Sequence, residues 1–168
     1  PQASAEELLR FQARLFGIDR NAGAVRAREL IEAMDLADHA GKPTHALSGG
    51  NKRKLHCALA LVHRPRMLFL DEPTVGMDPE VRARFWDSIR RVNREEGTTL
   101  FLTTQYLEEA ERHADQLALL HGGRIAYRGT MKSFVEMSRA GAERISLEEG
   151  YLVYLANTNH REVLSVAR

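Results

Sequence analysis

The stretch that decides the fold occupies residues 47–73 and reads LSGGNKRKLHCALALVHRPRMLFLDEP. It opens on a Ser-Gly-Gly turn and closes on an apolar run, residues 67–70, which is followed by Asp71 and Glu72. The run is short and wholly apolar, and Pro65 lies just before it. Such a run is typical of a strand that is covered on both faces in a parallel sheet. We therefore predict a buried strand with two carboxylates at its carboxyl end.

Helical segments flank this strand on both sides. The preceding segment has the apolar spacing of an amphipathic helix, which Pro65 ends, at Leu55, Ala58, Leu59 and Val62. After the strand, Asp78 as N-cap and Pro79 at the first helical position begin another helix, and Gly97 lies beyond its end. Residues 98–104 are a second buried strand candidate. A strand, a helix and a strand with short joints predict a right-handed βαβ unit in a largely parallel sheet.

The remaining elements continue this alternation. Ser4 and Glu7 form a capping box that predicts a helix over residues 5–16, and a second helix is predicted over 22–35. The buried positions predicted for the second helix are Val25, Ile31 and Leu36. Later in the chain the sequence predicts helices over 107–114 and 131–139 and a third strand over 116–120, which continues the alternation of strands and helices. A turn over residues 121–124 leads to a fourth strand over 125–127, and Ser146 and Glu149 form a second capping box.

Composition excludes several classes of protein. The 168 residues carry 24 Lys and Arg against 23 Asp and Glu, so no overall charge draws the chain to nucleic acid or to an acidic membrane. The single cysteine, Cys57, excludes an internal disulfide framework and is expected to be a buried thiol, which fits a reducing, cytosolic setting. No stretch approaches the roughly 20 apolar residues of a transmembrane helix. Because the chain begins at Pro1 and opens at once into a helix, we expect a fragment or a processed product.

Asp71 and Glu72 are candidate catalytic or metal-binding residues. Open α/β folds bind their ligands at the carboxyl ends of the parallel strands. There Asp71 could hold a water of hydrated Mg²⁺, and Glu72 could polarise the water that attacks a γ-phosphate. The alternative is a strand that simply ends in two solvated acids.

The turn formed by Ser48, Gly49 and Gly50 is a candidate anion site. It presents backbone N–H groups and the positive end of a helix dipole, with no side chain to block a close approach. The basic residues 52–54 of the first turn oppose that dipole, at a cost of roughly a few tenths of a kcal/mol, unless an anion offsets them. The alternative is an ordinary N-cap followed by a solvated basic face.

The spacing of these features is similar to that of a known family. LSGG, a helix, MLFLDEP and then GMDPE closely resemble the ATP-binding cassette (ABC) ATPases over residues 4–130. In that family LSGGQ is the signature motif, the apolar run with DEP is the Walker B strand, and GLDP is the D-loop. Two departures from these motifs are Asn51 in place of Gln and Met77 in place of Leu.

The resemblance implies a fold class and a division of the chain. The expected fold is α/β: the distal part of a P-loop NTPase (RecA-like) parallel-sheet core, with an α-helical signature subdomain and a small helical tail at the carboxyl end. Residues 1–64 would be the helical subdomain, residues 65–130 the distal ATPase core, and residues 131–168 the tail.

The resemblance also implies a site, cofactors and partners. Two ATPase subunits of this family hold two ATP molecules head to tail, so that Asp71 would assist Mg²⁺ and Glu72 would be the general base. The residues expected to contact the ATP of the second ATPase subunit, or to couple the two sites, are Ser48, Gly49, Gly50, Asn51 and Asp78. This subunit would bind transmembrane permease subunits from the cytoplasmic face of the plasma membrane, and together they would form an exporter. No nucleic acid is expected as a partner.

The switch position of the family, usually a His, is occupied here by Gln105. A Gln amide can donate and accept near a γ-phosphate, although it cannot be protonated. The surrounding TTQYLEEA resembles the daunorubicin-type drug-resistance exporters of the ABC-2 group. We therefore interpret Gln105 as a working catalytic variant rather than the mark of a decayed site, and expect drugs or lipid-like molecules as cargo.

The phosphate-binding loop of the family, G-x-x-x-x-G-K-[ST], does not occur in the sequence. The one Gly-Lys pair, Gly41-Lys42, has Leu36 where the first Gly is needed and Pro43 where Ser or Thr is needed. The family places this loop upstream, so we expect it before Pro1 and expect the chain alone to be inactive. Two alternatives stay open: an ABC-type ATPase that acts on DNA or ribosomes, and a non-catalytic remnant that regulates a full cassette.

Overall fold

The computed structural model describes residues 2–138, 148–154 and 156. They belong to two compact units that divide between Thr103 and Thr104. The second predicted capping box begins at Ser146 and therefore lies outside the described residues. No helix in the described part of the chain is long and apolar enough to cross a membrane.

The first unit begins with helices. Helix α1, Ala5–Leu15, has the predicted capping box: Ser4 N donates to Glu7 Oε2 at 2.8 Å, and Glu7 N donates to Ser4 Oγ at 3.3 Å. Helix α2 is Arg20–Ala33 and helix α3 is Gly49–Leu61, with two short 3₁₀ turns between them. The bounds of α1 and α2 agree within two residues with the predicted helices over 5–16 and 22–35, while the division of the chain into three parts stays a prediction.

The predicted βαβ unit is present in the first unit. Strand β1, Met67–Asp71, pairs in parallel with strand β2, Thr99–Thr103, and helix α4, Pro79–Glu96, connects them. Helix α4 has the predicted ends, since Asp78 is its N-cap and Gly97 follows it with a φ of 67°. Local capping and turn chemistry therefore set the bounds of this crossover.

The core of the first unit lies between the helices and one face of this sheet. In helix α2, Ile31 is buried as predicted, and Leu36 beyond its end is fully buried, but Val25 is 49% exposed, so that prediction was wrong. The α2 residues that face the core are Gly23, Arg26, Ala27, Leu30 and Ile31, and this stripe does not include position 25. Val25 lies one residue before the buried Arg26, a difference of about 100° around the helix.

Strand β1 is not covered on both faces, which corrects the prediction of a fully buried strand. Leu68 and Leu70 are buried, whereas Met67 is 48% and Phe69 is 68% exposed. Side chains alternate between the two faces of a strand, and the helices of this unit pack on only one of them. A wholly apolar run is therefore compatible with a strand whose second face is open among the described residues.

The second unit contains helix α5, Leu107–His113, strands β3, Gln116–His121, and β4, Arg124–Thr130, and helix α6, Met131–Ser138; residues 148–154 are also helical. Its small core contains Ala110, Leu119 and Phe134. Strand β3 pairs antiparallel with β4 rather than joining the parallel sheet, which corrects the prediction for the third strand. The predicted turn over residues 121–124 does join β3 to β4 as an antiparallel hairpin, with positive φ at Gly122 and Gly123.

Candidate active site

Asp71 lies at the carboxyl end of strand β1, directly opposite Thr103 of strand β2. Thr103 Oγ1 donates a hydrogen bond to Asp71 Oδ1 at 2.5 Å. The carboxylates of Asp71 and Glu72 are both exposed at this edge of the sheet. The structure thus brings these two predicted site residues together where parallel α/β sheets bind ligands.

The backbone of Glu72 is held in an uncommon conformation. Its φ is 42°, in the left-handed region that non-glycine residues seldom occupy. Glu72 N donates to the Thr103 carbonyl and to Thr103 Oγ1, both at 3.1 Å. The Glu72 carbonyl accepts from Arg53 Nη1 at 2.8 Å and from Val75 N at 3.3 Å. Contacts on both sides of the residue therefore fix its direction, as is common for strained residues at functional sites.

The segment after Glu72 leads directly into helix α4. Thr74 and Met77 are buried, and Met77 N donates to the Thr74 carbonyl at 3.0 Å. Asp78 Oδ1 accepts from Val81 N at 3.0 Å, so its side chain caps the helix. In the structure Asp78 therefore acts as the N-cap of helix α4, and its role in coupling two ATP sites stays a prediction.

The signature segment forms the amino-terminal turn of helix α3. Ser48 is its N-cap, and Ser48 Oγ accepts from Asn51 N at 3.3 Å. A Cβ placed on Gly49 would meet nothing within 4 Å, whereas one placed on Gly50 would lie 2.8 Å from Val81 Cγ1. Gly49 is therefore open to a ligand, while Gly50 is required by the close packing of helix α3 on the first turn of helix α4.

Two of the three basic residues in this turn already have partners within the protein. Arg53 donates to the Glu72 carbonyl, and Lys54 Nζ donates to Asp35 Oδ2 at 2.9 Å with only 2% of Lys54 exposed. The hydrogen bond from Lys54 lowers the pKa of the Asp35 carboxyl. These contacts correct the expectation that an anion or solvent offsets the charges of residues 52–54. The pairs join residues 19 positions apart, so sequence spacing could not reveal them.

Arg26 is a further structural residue that the sequence analysis missed. It is buried and makes two hydrogen bonds to the Glu96 carboxylate, while its Nη2 also donates to the Leu61 carbonyl at 2.6 Å and its Nε to the Val62 carbonyl at 3.3 Å. A cation at the carboxyl end of helix α3 is favourable for the helix dipole. The sequence did contain a signal that Arg26 is buried. It lies three residues after Gly23 and four before Leu30, which places it on the buried face of α2.

Gln105 belongs to the second compact unit and is exposed in the loop that precedes helix α5. The loop is ordered by its neighbours: Tyr106 N donates to Thr104 Oγ1 at 3.0 Å, and Thr104 Oγ1 donates to Glu109 Oε2 at 3.2 Å. The role of Gln105 as a switch residue stays a prediction.

The carboxylate of Asp71 fits the way in which proteins bind hydrated Mg²⁺. Within residues 2–138, 148–154 and 156, no three His, Cys, Asp or Glu side chains cluster as a metal cage would require. Mg²⁺ usually keeps several waters and binds one or two carboxylates together with substrate phosphates. A single exposed carboxylate such as Asp71, held by Thr103, fits that mode.

Cys57 is a structural thiol, as predicted. It is 7% exposed on the core side of helix α3, and burial raises its pKa to about 12. The thiolate required for reactivity is therefore disfavoured at neutral pH. Phe85 and Trp86 of helix α4 are also buried in the core.

Comparison with known proteins shows which family the sequence resembles. The family model of ABC transporter proteins matches residues 2–75. The daunorubicin resistance ATP-binding protein DrrA3 of Streptomyces coeruleorubidus is 44% identical over 137 residues, covering 79% of this chain and 42% of that protein. The linearmycin resistance ATP-binding protein LnrL of Bacillus subtilis (strain 168) is 31% identical over 166 residues, covering 95% of this chain and 52% of that protein. A solved structure of an ATP binding subunit of an ABC transporter has a TM-score of 0.74 at 26% identity, covering 92% of this chain and 63% of that one.

A parallel βαβ unit with carboxylates at its strand ends and this structural neighbour define part of a P-loop NTPase fold. More particularly, residues 2–75 match the ABC transporter family, and the chain is similar there to the ATP-binding proteins of daunorubicin-type drug resistance. The chain spans about half the length of the curated relatives it matches. The matched range includes the signature and Walker B motifs, residues 47–51 and 67–73, which carried the resemblance in the sequence.

Proposed function

We propose that this chain forms the signature and Walker B part of the ATP-hydrolysing subunit of an ABC exporter. The observation that carries the proposal is the pair Asp71 and Glu72 at the carboxyl end of β1, with Thr103 bonded to both residues. An exposed carboxylate pair with a fixed backbone is suited to orienting water and a hydrated cation.

Glu72 is the proposed general base. Its carboxylate would accept a proton from the water that attacks the γ-phosphate of ATP, and the left-handed backbone would keep the side chain directed out of the sheet edge. Asp71, held by Thr103 Oγ1, would hold a water of the Mg²⁺ ion. When bound, Mg²⁺ supplies positive charge that offsets the phosphate oxygens. Gln105 is proposed as the residue that senses the γ-phosphate.

The signature turn is proposed to serve a different ATP, held by a second ATPase subunit. Gly49 has open space where a Cβ would lie, and the first N–H groups of a helix lack intrahelical partners. Ser48, Gly49, Gly50 and Asn51 would contact that nucleotide, and Asp78 would couple the two sites. This assignment rests on the family motif and on the exposure of Ser48 and Gly49.

The transport role is proposed from the relatives. Their names describe resistance to daunorubicin and to linearmycin, so drugs or lipid-like molecules are the proposed cargo. The subunit would lie at the cytoplasmic face of the membrane, where its helical part would contact transmembrane permease subunits. The 168 residues contain no G-x-x-x-x-G-K-[ST] loop, and we propose that they do not turn over ATP by themselves.

Steady-state ATP hydrolysis by the full-length subunit that contains this sequence tests the proposal. Glu72→Gln should lower kcat by about a hundredfold or more and leave nucleotide binding intact, because a Gln amide cannot accept the proton. Glu80→Gln is the matched control, since Glu80 is exposed in the first turn of helix α4 and forms a surface ion pair with Arg84. Unchanged kcat in Glu72→Gln would overturn the role of Glu72, and a wild-type subunit without turnover would favour a regulatory remnant.

A further inference from the structure

We propose that Arg53 is a positioning residue that links the signature helix to the catalytic carboxylate within the same subunit. This inference rests on the proposed function, in which Glu72 is the general base. Arg53 lies in the first two turns of helix α3, and its guanidinium reaches the backbone of Glu72, 19 residues later.

The contact acts on the part of Glu72 that sets the direction of its side chain. In the left-handed conformation the carbonyl of Glu72 turns away from the β1–β2 ladder, so the ladder contributes only the bonds at Glu72 N. On the carbonyl side the acceptor is shared by Arg53 Nη1 at 2.8 Å and Val75 N at 3.3 Å. The bond from Arg53 is the shorter of the two and is charge-assisted, which makes it the stronger restraint.

The backbone of Arg53 is also held in place, because helix α3 is fixed to its neighbours. Helix α3 is held against helix α4 by the close approach of Gly50 to Val81, and it is held to Asp35 by the buried Lys54. A rigid helix therefore carries the guanidinium. Any displacement of the signature turn relative to β1 would move the carbonyl of Glu72 through this hydrogen bond.

The consequence is a connection between the two ATP sites that a head-to-tail dimer would contain. The signature turn would contact one nucleotide, while Glu72 would act on the other. Arg53 would join the two within one chain, so that occupation of the signature turn would align the base for the other site. A lysine could keep the charge and one donor but not the reach and direction of the Arg53 Nη1 group, so it should replace the function only in part.

Measurement of kcat and KM for ATP on the full-length subunit tests this inference. Arg53→Gln should lower kcat by about tenfold to a hundredfold while KM changes less than about twofold, because a misaligned base weakens the chemical step rather than nucleotide binding. Arg53→Lys should recover part of kcat. Lys52→Gln is the matched control, since it removes the same charge from the same helical turn, and it should leave both constants near the wild-type values.

The outcomes separate this inference from the proposed function. Loss of turnover in Glu72→Gln with wild-type kcat in Arg53→Gln would overturn the role of Arg53 alone, whereas wild-type kcat in Glu72→Gln would overturn the proposed function. A raised KM with unchanged kcat in Arg53→Gln, or an equal loss in Lys52→Gln, would also contradict a positioning role. If Arg53→Gln does not fold, as judged by its melting temperature, Arg53→Lys decides, and a wild-type kcat in that variant would overturn the inference.

Discussion

Gly49 and Gly50 are neighbours in the signature turn, but the space around them differs. Gly50 faces Val81 of helix α4 at a distance that leaves no room for a Cβ, while the equivalent position on Gly49 is open. The two glycines therefore meet different requirements. Gly50 is needed for folding of the first unit, and Gly49 is free to meet a ligand.

This difference predicts opposite results for two alanine substitutions. Gly50→Ala should lower the free energy of unfolding by about 1–3 kcal/mol, because overpacking forces Val81 or the helix to shift. Gly49→Ala should change it by less than about 0.5 kcal/mol. Denaturant unfolding of the 168-residue chain measures both values. Val81→Ala should relieve the cost in Gly50→Ala, and an equal loss in Gly49→Ala would contradict the packing explanation.

At the residue scale, the sequence predicts where reactive side chains lie better than it predicts which distant side chains contact each other. Asp71 and Glu72 lie at the strand end as their motif indicated, because a strand boundary is a local property. The buried pair of Lys54 and Asp35 could not be predicted, because it depends on where two helices meet. For the same reason the sequence did not predict that Gly50 packs on Val81, and it indicated only an anion site at this turn.

At the scale of elements, local signals account for the ends of helices. The capping box at Ser4 correctly predicted helix α1, and the Asp78 N-cap and Gly97 correctly predicted helix α4, because each cap is satisfied by residues within one turn. The coverage of strand β1 was not predictable in this way. A run of four apolar residues shows that a strand can be buried, but which face is covered depends on the packing of distant helices.

The bonds from Arg26 join three helices and should be a major source of stability in the first unit. Arg26→Met should lower the free energy of unfolding by about 3–5 kcal/mol, because it leaves the partly buried Glu96 without its partner and removes the side-chain donor to the Leu61 and Val62 carbonyls. Chemical denaturation measures the change. Arg28→Met is the matched control in the same helix, since Arg28 is exposed and donates to the Ala24 carbonyl one turn earlier in that helix.

A double substitution distinguishes the lost ion pair from lost packing. Arg26→Met combined with Glu96→Met should be more stable than Arg26→Met alone, because it removes the uncompensated carboxylate. If the double variant is less stable than the single variant by the full cost of Glu96→Met, the two residues are not coupled. A loss below about 1 kcal/mol in Arg26→Met would contradict the structural role given to these bonds.

At the scale of the whole molecule, the sequence predicted the class of fold but not the grouping of its strands. The alternation of strands and helices correctly indicated an α/β protein with a parallel pair. The Gly122-Gly123 turn carried the opposite signal for β3 and β4, since two residues can connect only antiparallel neighbours.

The open face of the β1–β2 sheet makes a prediction about the 168-residue chain in solution. Phe69 is 68% and Phe101 is 54% exposed, their ring centroids lie 5.4 Å apart, and Met67 shares their face. Contiguous apolar patches of this kind promote association. We expect the average mass measured by sedimentation velocity to rise with protein concentration. The double substitution Phe69→Ser and Phe101→Ser should remove most of that rise, whereas Met137→Ser, an exposed apolar residue of helix α6, should not. A wild-type mass that is independent of concentration would contradict the prediction, because this face would then be compatible with water without any covering partner.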